Sequence, residues 1–87
     1  MKITEEYLKA NGYTKKEIND AGVTNPYFYE KEVLYDGKDI DIRIGVERPY
    51  LSIFVRMPQV CMALEGVDEV EAIDAAIKLA AFSKVNL

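Results

Sequence analysis

The sequence predicts an α+β domain: a three-stranded antiparallel β-meander packed on one face by a C-terminal helix, with two short N-terminal helices. Three observations predict it. Residues 39–57 read D-I-D-I-R-I-G-V-E-R-P-Y-L-S-I-F-V-R-M, two alternating runs joined by a polar loop. Asp36-Gly37, just upstream, is a strong two-residue hairpin signal. From Asp68 onward, apolar residues recur at helical spacing behind an acidic first turn. Residues 1–87 read as one domain: a helical corner at 1–26, the meander at 27–57, a short helix or fourth strand at 58–66, and the last helix at 67–85.

The corner rests on a ten-residue repeat. I3-T-E-E-Y-L-K-A-N-G12 is followed by Y13-T-K-K-E-I-N-D-A-G22, and Val23-Thr24-Asn25-Pro26 begins a third copy that fails. Thr4 and Thr14 stand at N-cap positions, Gly12 and Gly22 at C′ positions. Ile3 with Leu8, and Tyr13 with Ile18, have the spacing of hydrophobic staples, and Thr14 with Glu17 forms a capping box. Two helices of about two turns each follow from this. A helix, a glycine turn and a helix also resemble a DNA-reading corner, but Lys15 and Lys16 are the only bases on the second helix.

Residues 27–35, Y-F-Y-E-K-E-V-L-Y, are aromatic and β-branched, as a strand prefers. Pairing Tyr35 with Lys38 sets Val33 opposite Ile40 and Tyr29 opposite Ile44 on the core face. It also sets Lys31 opposite Ile42, so Lys31 must snorkel or a bulge must shift the register. For the next hairpin, pairing Val46 with Leu51 leaves a four-residue loop, Glu47 to Tyr50. That register places Ile44 opposite Ile53, Ile42 opposite Val55, Asp41 opposite Arg56 and Arg43 opposite Phe54.

Residues 58–66 carry two signals. Pro58 followed by helix formers and Gly66 favours a short helix, and the alternation of Val60, Met62 and Leu64 would serve a fourth strand. Cys61 reads as a small buried hydrophobe. In the last helix Asp68 is the expected cap, Glu71 closes a capping box, and Asp74 with Lys78 makes an i,i+4 pair. Val70, Ile73, Ile77 and Ala80 or Ala81 form its core stripe, widened by Ala72 and Ala76.

Composition bounds function mainly by exclusion. The chain has 15 acids against 11 bases, a formal charge of −4, and no histidine. Residues 58–87 hold five acids against two lysines. Without clustered Lys and Arg, a phosphate-tracking surface is not expected, and the acid excess is too small for a DNA mimic. Asp36 to Asp41 lacks the spacing of a calcium loop, and no metal or cofactor site is expected. No catalytic residues stand out: there is no base for Cys61, no phosphate loop and no nucleophile elbow. A single cysteine, the absence of an apolar stretch of roughly 18 residues, and acids near the N-terminus predict a cytoplasmic protein with no membrane partner.

The face of the sheet opposite the helix holds Phe28, Glu30, Glu32 and Leu34, then Asp41 and Arg43, then Ser52, Phe54 and Arg56. Arg43 between Glu30 and Phe54 predicts a charge and cation–π cluster. Tyr27, Tyr29 and Tyr35 fall on the core side, which leaves Tyr50, beside Arg48-Pro49 at the hairpin tip, as the exposed tyrosine. Arg43, Arg48, Tyr50, Phe54 and Arg56 are therefore the expected partner-binding residues. The function expected is that of a small non-enzymatic binding protein occupying a surface of a larger protein or complex, in the style of a phage or mobile-element inhibitor of host defence. The alternatives are a self-associating module, using the outer face or the edge of the first or third strand, and an accessory nucleic-acid binder.

Overall fold

The computed structural model describes residues 1–18, 22, 26–57 and 59–82. Its architecture is α+β, with a five-stranded antiparallel sheet and a C-terminal helix. The elements run α1 (Glu5–Ala10), β1 (Thr14–Glu17), β2 (Tyr27–Tyr35), β3 (Lys38–Gly45), β4 (Tyr50–Val55), β5 (Val60–Glu65) and α2 (Val70–Phe82), and the strands lie in sequence order. The expected three-stranded meander is the middle of this sheet, and each end carries one more strand.

The first N-terminal helix forms as its sequence dictates. Thr4 is in extended backbone and its hydroxyl accepts from the Tyr7 N–H at 3.1 Å. At the other end Gly12 has φ +83°, the Tyr13 N–H donates to the Leu8 carbonyl, and the Gly12 N–H donates to that of Lys9. This is a Schellman closure, with Leu8 and Tyr13 buried as its apolar pair. The second expected helix is a strand instead. Tyr13 is already committed to closing α1, so Thr14–Glu17 leaves in extended form and pairs with β2, Lys15 opposite Tyr29. Residues 19–21 of the second repeat and 23–25 of the failed third copy lie outside the described residues.

Asp36 and Gly37 both have positive φ, 51° and 74°, the turn that a right-twisted hairpin favours. The β2–β3 register is the expected one, including Lys31 opposite Ile42. No bulge is needed. Lys31 snorkels: its ammonium donates to the Asn11 carbonyl at 2.7 Å and lies 5.3 Å from the Tyr13 ring centroid. Lys38 does the same at the end of α2, donating to the Ala81 carbonyl beside the Phe82 ring. Each helix thus has a core-side lysine on a carbonyl near its C-terminal end, where the helix dipole favours a cation.

The β3–β4 register differs from expectation by two residues. Ile44 faces Leu51, Ile42 faces Ile53 and Ile40 faces Val55, with Gly45 opposite Tyr50 as the closing pair. Because side chains repeat every two residues, the shift keeps every aliphatic on its face and changes only its partner. Residues 60–65 form a strand, Val60 opposite Val55 and Met62 opposite Ile53, so alternation prevails over the helix-start signal. The strands β2 and β4, expected as sheet edges, are interior.

The core lies between the sheet and the two helices. Tyr29, Leu8, Ile40, Ile42, Ile44, Leu51, Ile53 and Val55 are fully buried, and Ile73, Ala76, Ile77, Ala80 and Ala81 meet them from α2. Each large aliphatic buried this way stabilises the fold by about 1.5–3 kcal/mol. The Tyr29 hydroxyl keeps a partner by donating to Glu5 at 2.7 Å. The expected Asp68 cap is engaged differently: its carboxylate accepts from Lys2 at 2.7 Å, which holds Asp68 below the usual carboxylate range. Alongside, the Ile3 N–H donates to the Asp68 carbonyl and the Val70 N–H to that of Met1, tying residues 1–3 to the start of α2. The Glu71 carboxylate accepts from the Met1 ammonium at 3.0 Å.

Candidate functional site

Strand parity sends one set of side chains away from the helices, and pairing lines them up across the sheet. Four rows result. Lys16 and Phe28 stand opposite each other, as do Gly45, Tyr50 and Glu65 further across. The next row is Thr14, Glu30, Arg43, Ser52 and Ala63. Then come Glu32, Asp41, Phe54 and Cys61, and finally Leu34 and Asp39 with Arg56 alongside. Of these residues only Gly45 is buried.

Charge organises the middle of this outer face. Arg43 donates through Nε to Glu30 at 2.9 Å, and its guanidinium carbon lies 5.2 Å from the Phe28 ring centroid. Arg56 donates to Asp41 at 2.9 Å and also to Glu32. The Asp41 carboxylate raises the Arg56 pKa further above its ordinary value. Both guanidiniums are therefore held by carboxylates of neighbouring strands, a geometry that fixes their position more than it adds stability.

The centre is hollow because its residues are small. Ser52, Cys61 and Ala63 sit beside Phe54, leaving an open depression of about 230 Å³ lined by Asp41, Arg43, Ser52, Phe54 and Cys61. Phe54 is 36% exposed and forms its apolar wall. A second, more open depression lies between Thr14, Lys16, Glu30 and Glu32.

Four of the five residues expected to bind a partner share this face. Arg43 and Phe54 flank the central depression, Arg56 stands at one end of β4 and Tyr50 at the other. Arg48 is exposed in the β3–β4 turn. Two details are corrected. Arg43 faces Ser52, and its aromatic neighbour is Phe28 rather than Phe54, because of the two-residue register shift. Tyr50 is half-buried with its ring across Gly45, and this burial raises its hydroxyl pKa. Cys61, expected in the core, is exposed on the outer face. A helix over 58–66 hides it and Ala63, whereas the fourth strand offered by the alternation of Val60, Met62 and Leu64 holds the signal.

Among the described residues, no three His, Cys, Asp or Glu side chains are grouped to hold a metal ion, and no helix is long and apolar enough to cross a membrane. Comparison with known proteins returns no match, whether to a family model, a curated protein or a solved structure.

Proposed function

We propose that the protein is a small non-enzymatic binding protein that occupies a surface of a larger protein or complex with the outer face of its sheet. One observation carries this reading. The outer face crosses five strands, both helices pack on the opposite side, and an aromatic-walled depression flanked by Arg43 and Asp41 lies at its centre. A sheet covered on one side is commonly solvated on the other, but a purely solvated face has no need of Phe28, Phe54 and arginines fixed in place. The depression suits one inserted side chain of the partner, with Phe54 against its apolar part and the Asp41 and Arg43 groups at its polar end.

The face also selects the partner's charge. Its acids are Glu30, Glu32, Asp39, Asp41 and Glu65, against Lys16, Arg43 and Arg56, and both arginines are already answered within the face. A complementary protein surface is basic at its rim, and a phosphate backbone is disfavoured. Blocking a surface without chemistry is how a protein inhibitor acts. Inhibition of a host-defence complex by a phage or mobile-element protein is the setting proposed.

The test is capture of a stoichiometric partner from the source organism or its host, followed by affinity measurement with the purified partner. Phe54→Glu weakens binding by about a hundredfold or more on this reading, and Lys78→Glu on exposed α2 leaves it unchanged. Equal affinity for wild type and Phe54→Glu removes the outer face as the site. An affinity falling steeply with salt on nucleic acid alone would replace the reading with a nucleic-acid binder.

A further inference from the structure

The two edges of the sheet are unlike. β1 is four residues long, fully exposed, and carries Lys15, Lys16 and Glu17, the kind of short charged edge that resists pairing. β5 reads Val60-Cys61-Met62-Ala63-Leu64-Glu65, with five apolar residues, no lysine and no proline. Its free edge can be accounted for bond by bond. The Gly66 N–H donates to the Pro49 carbonyl directly across the β4–β5 ladder, so the alternation points the amides and carbonyls of Val60, Met62 and Leu64 at β4. Those of Cys61, Ala63 and Glu65 point outward, and among the described residues no strand lies there.

The side chains beside that edge are incompletely covered as well. Met62 is half-buried and Leu64 is 37% exposed, although both lie on the core face. An apolar edge with open backbone groups and half-covered flanking side chains is a template for another strand.

We propose that β5 pairs antiparallel with β5 of a second copy of this chain, about a two-fold axis through Met62, joining two sheets into one. Symmetry limits the register, and the side chains choose within that limit. A two-fold axis between identical antiparallel strands lies perpendicular to the sheet and sets like face against like face, so it passes through a residue. Through Met62, Val60 of one copy faces Leu64 of the other, and Cys61 faces Ala63. Glu65 then meets the amide of Gln59. Through Ala63, Cys61 would face the Glu65 carboxylate and Val60 would face Gly66. The first choice joins apolar to apolar and places no like charges opposite each other. It also makes Cys61 and Ala63 the hydrogen-bonded pairs, the residues whose backbone groups already point outward. Leu64 and Met62 are covered by the second copy, and the two outer faces become continuous. This inference is independent of what binds the outer face.

Mass measured across a wide concentration range, by sedimentation or native mass spectrometry, tests it. The wild type is expected to pass from monomer to dimer. Ala63→Pro removes an outward N–H without touching a β4–β5 bond, and is expected to weaken dimerisation about tenfold or more while the folded spectrum is kept. Should that variant fail to fold, Met62→Lys, which sets like charges together on the axis, is read in the same way. In a Cys61→Ala background, Met62→Cys is expected to cross-link to its own copy on oxidation, because the unbonded pair brings the two Cα atoms to about 4.5 Å. A monomer at every concentration, or a dimer indifferent to Ala63→Pro and Met62→Lys, overturns the proposal.

Discussion

Gly45 and Tyr50 close the β3–β4 hairpin with the tyrosine ring laid across the glycine. A Cβ at position 45 would stand 2.1 Å from Tyr50 Cε1 and 2.3 Å from Cδ1. The missing side chain is what admits the ring, and the ring leaves Gly45 buried on an otherwise exposed face. This pair fixes the register of β3 on β4, and through it the position of Arg43 relative to Ser52 and Phe54.

Gly45→Ala is therefore expected to destabilise the fold by about 1–3 kcal/mol, measured by denaturant unfolding. In the double variant with Tyr50→Ala the clash with the ring disappears and only the Arg48 carbonyl stays close, so the two losses fall short of additive. Additive losses would separate the glycine from the ring.

Lys31 holds the carbonyl end of α1 from the core side of β2. Lys31→Met keeps the apolar stem and loses the ammonium, and is expected to lower stability by about 1 kcal/mol. Hydrogen exchange should rise most at Gly12 and Tyr13, whose amides close that helix. Uniform exchange changes would argue that the lysine acts only through packing.

Burial pushes the hydroxyls of Tyr13 and Tyr29 up to about 12 from an ordinary 10.0. A raised pKa means that the folded state keeps these protons when the unfolded state has lost them. Their contribution to stability is thus complete below pH 10 and disappears as the pH rises toward 12. The melting temperature is expected to fall across that window, less so for Tyr29→Phe once its own lower baseline is subtracted. An identical slope in Tyr29→Phe would remove this tyrosine as a cause.

Arg56 pairs with Asp41 and Glu32 while its side chain is 45% exposed. Arg56→Ala is expected to leave the denaturant midpoint of unfolding close to that of the wild type. A clear drop in the midpoint would make the outer-face ion pairs structural rather than presented.

The sequence disclosed faces more readily than partners. Alternation placed Ile40, Ile42 and Ile44 inside and Asp41 and Arg43 outside, and Asp36-Gly37 set the β2–β3 register outright. Between β3 and β4 the same alternation is satisfied by any shift of two, and the deciding contact is a ring over a glycine, which has no sequence period. β1 was hidden because Thr14, Lys15, Lys16 and Glu17 make a good capping box and a poor strand, and only the edge of β2 gives them one. At β5, Pro58 and strong helix formers set a short helix against the fourth strand that the alternation of Val60, Met62 and Leu64 offers. The candidate face was legible on β2, β3 and β4. It was not legible at Thr14, Lys16, Cys61 and Ala63, which need the two outer strands.

The measurement that bears most directly on the outer face is the affinity of the purified partner for wild type, Phe54→Glu and Lys78→Glu, each first shown to be folded. Binding weakened about a hundredfold by Phe54→Glu alone is the result this account predicts. Equal affinities for all three would contradict it and move the function off the sheet.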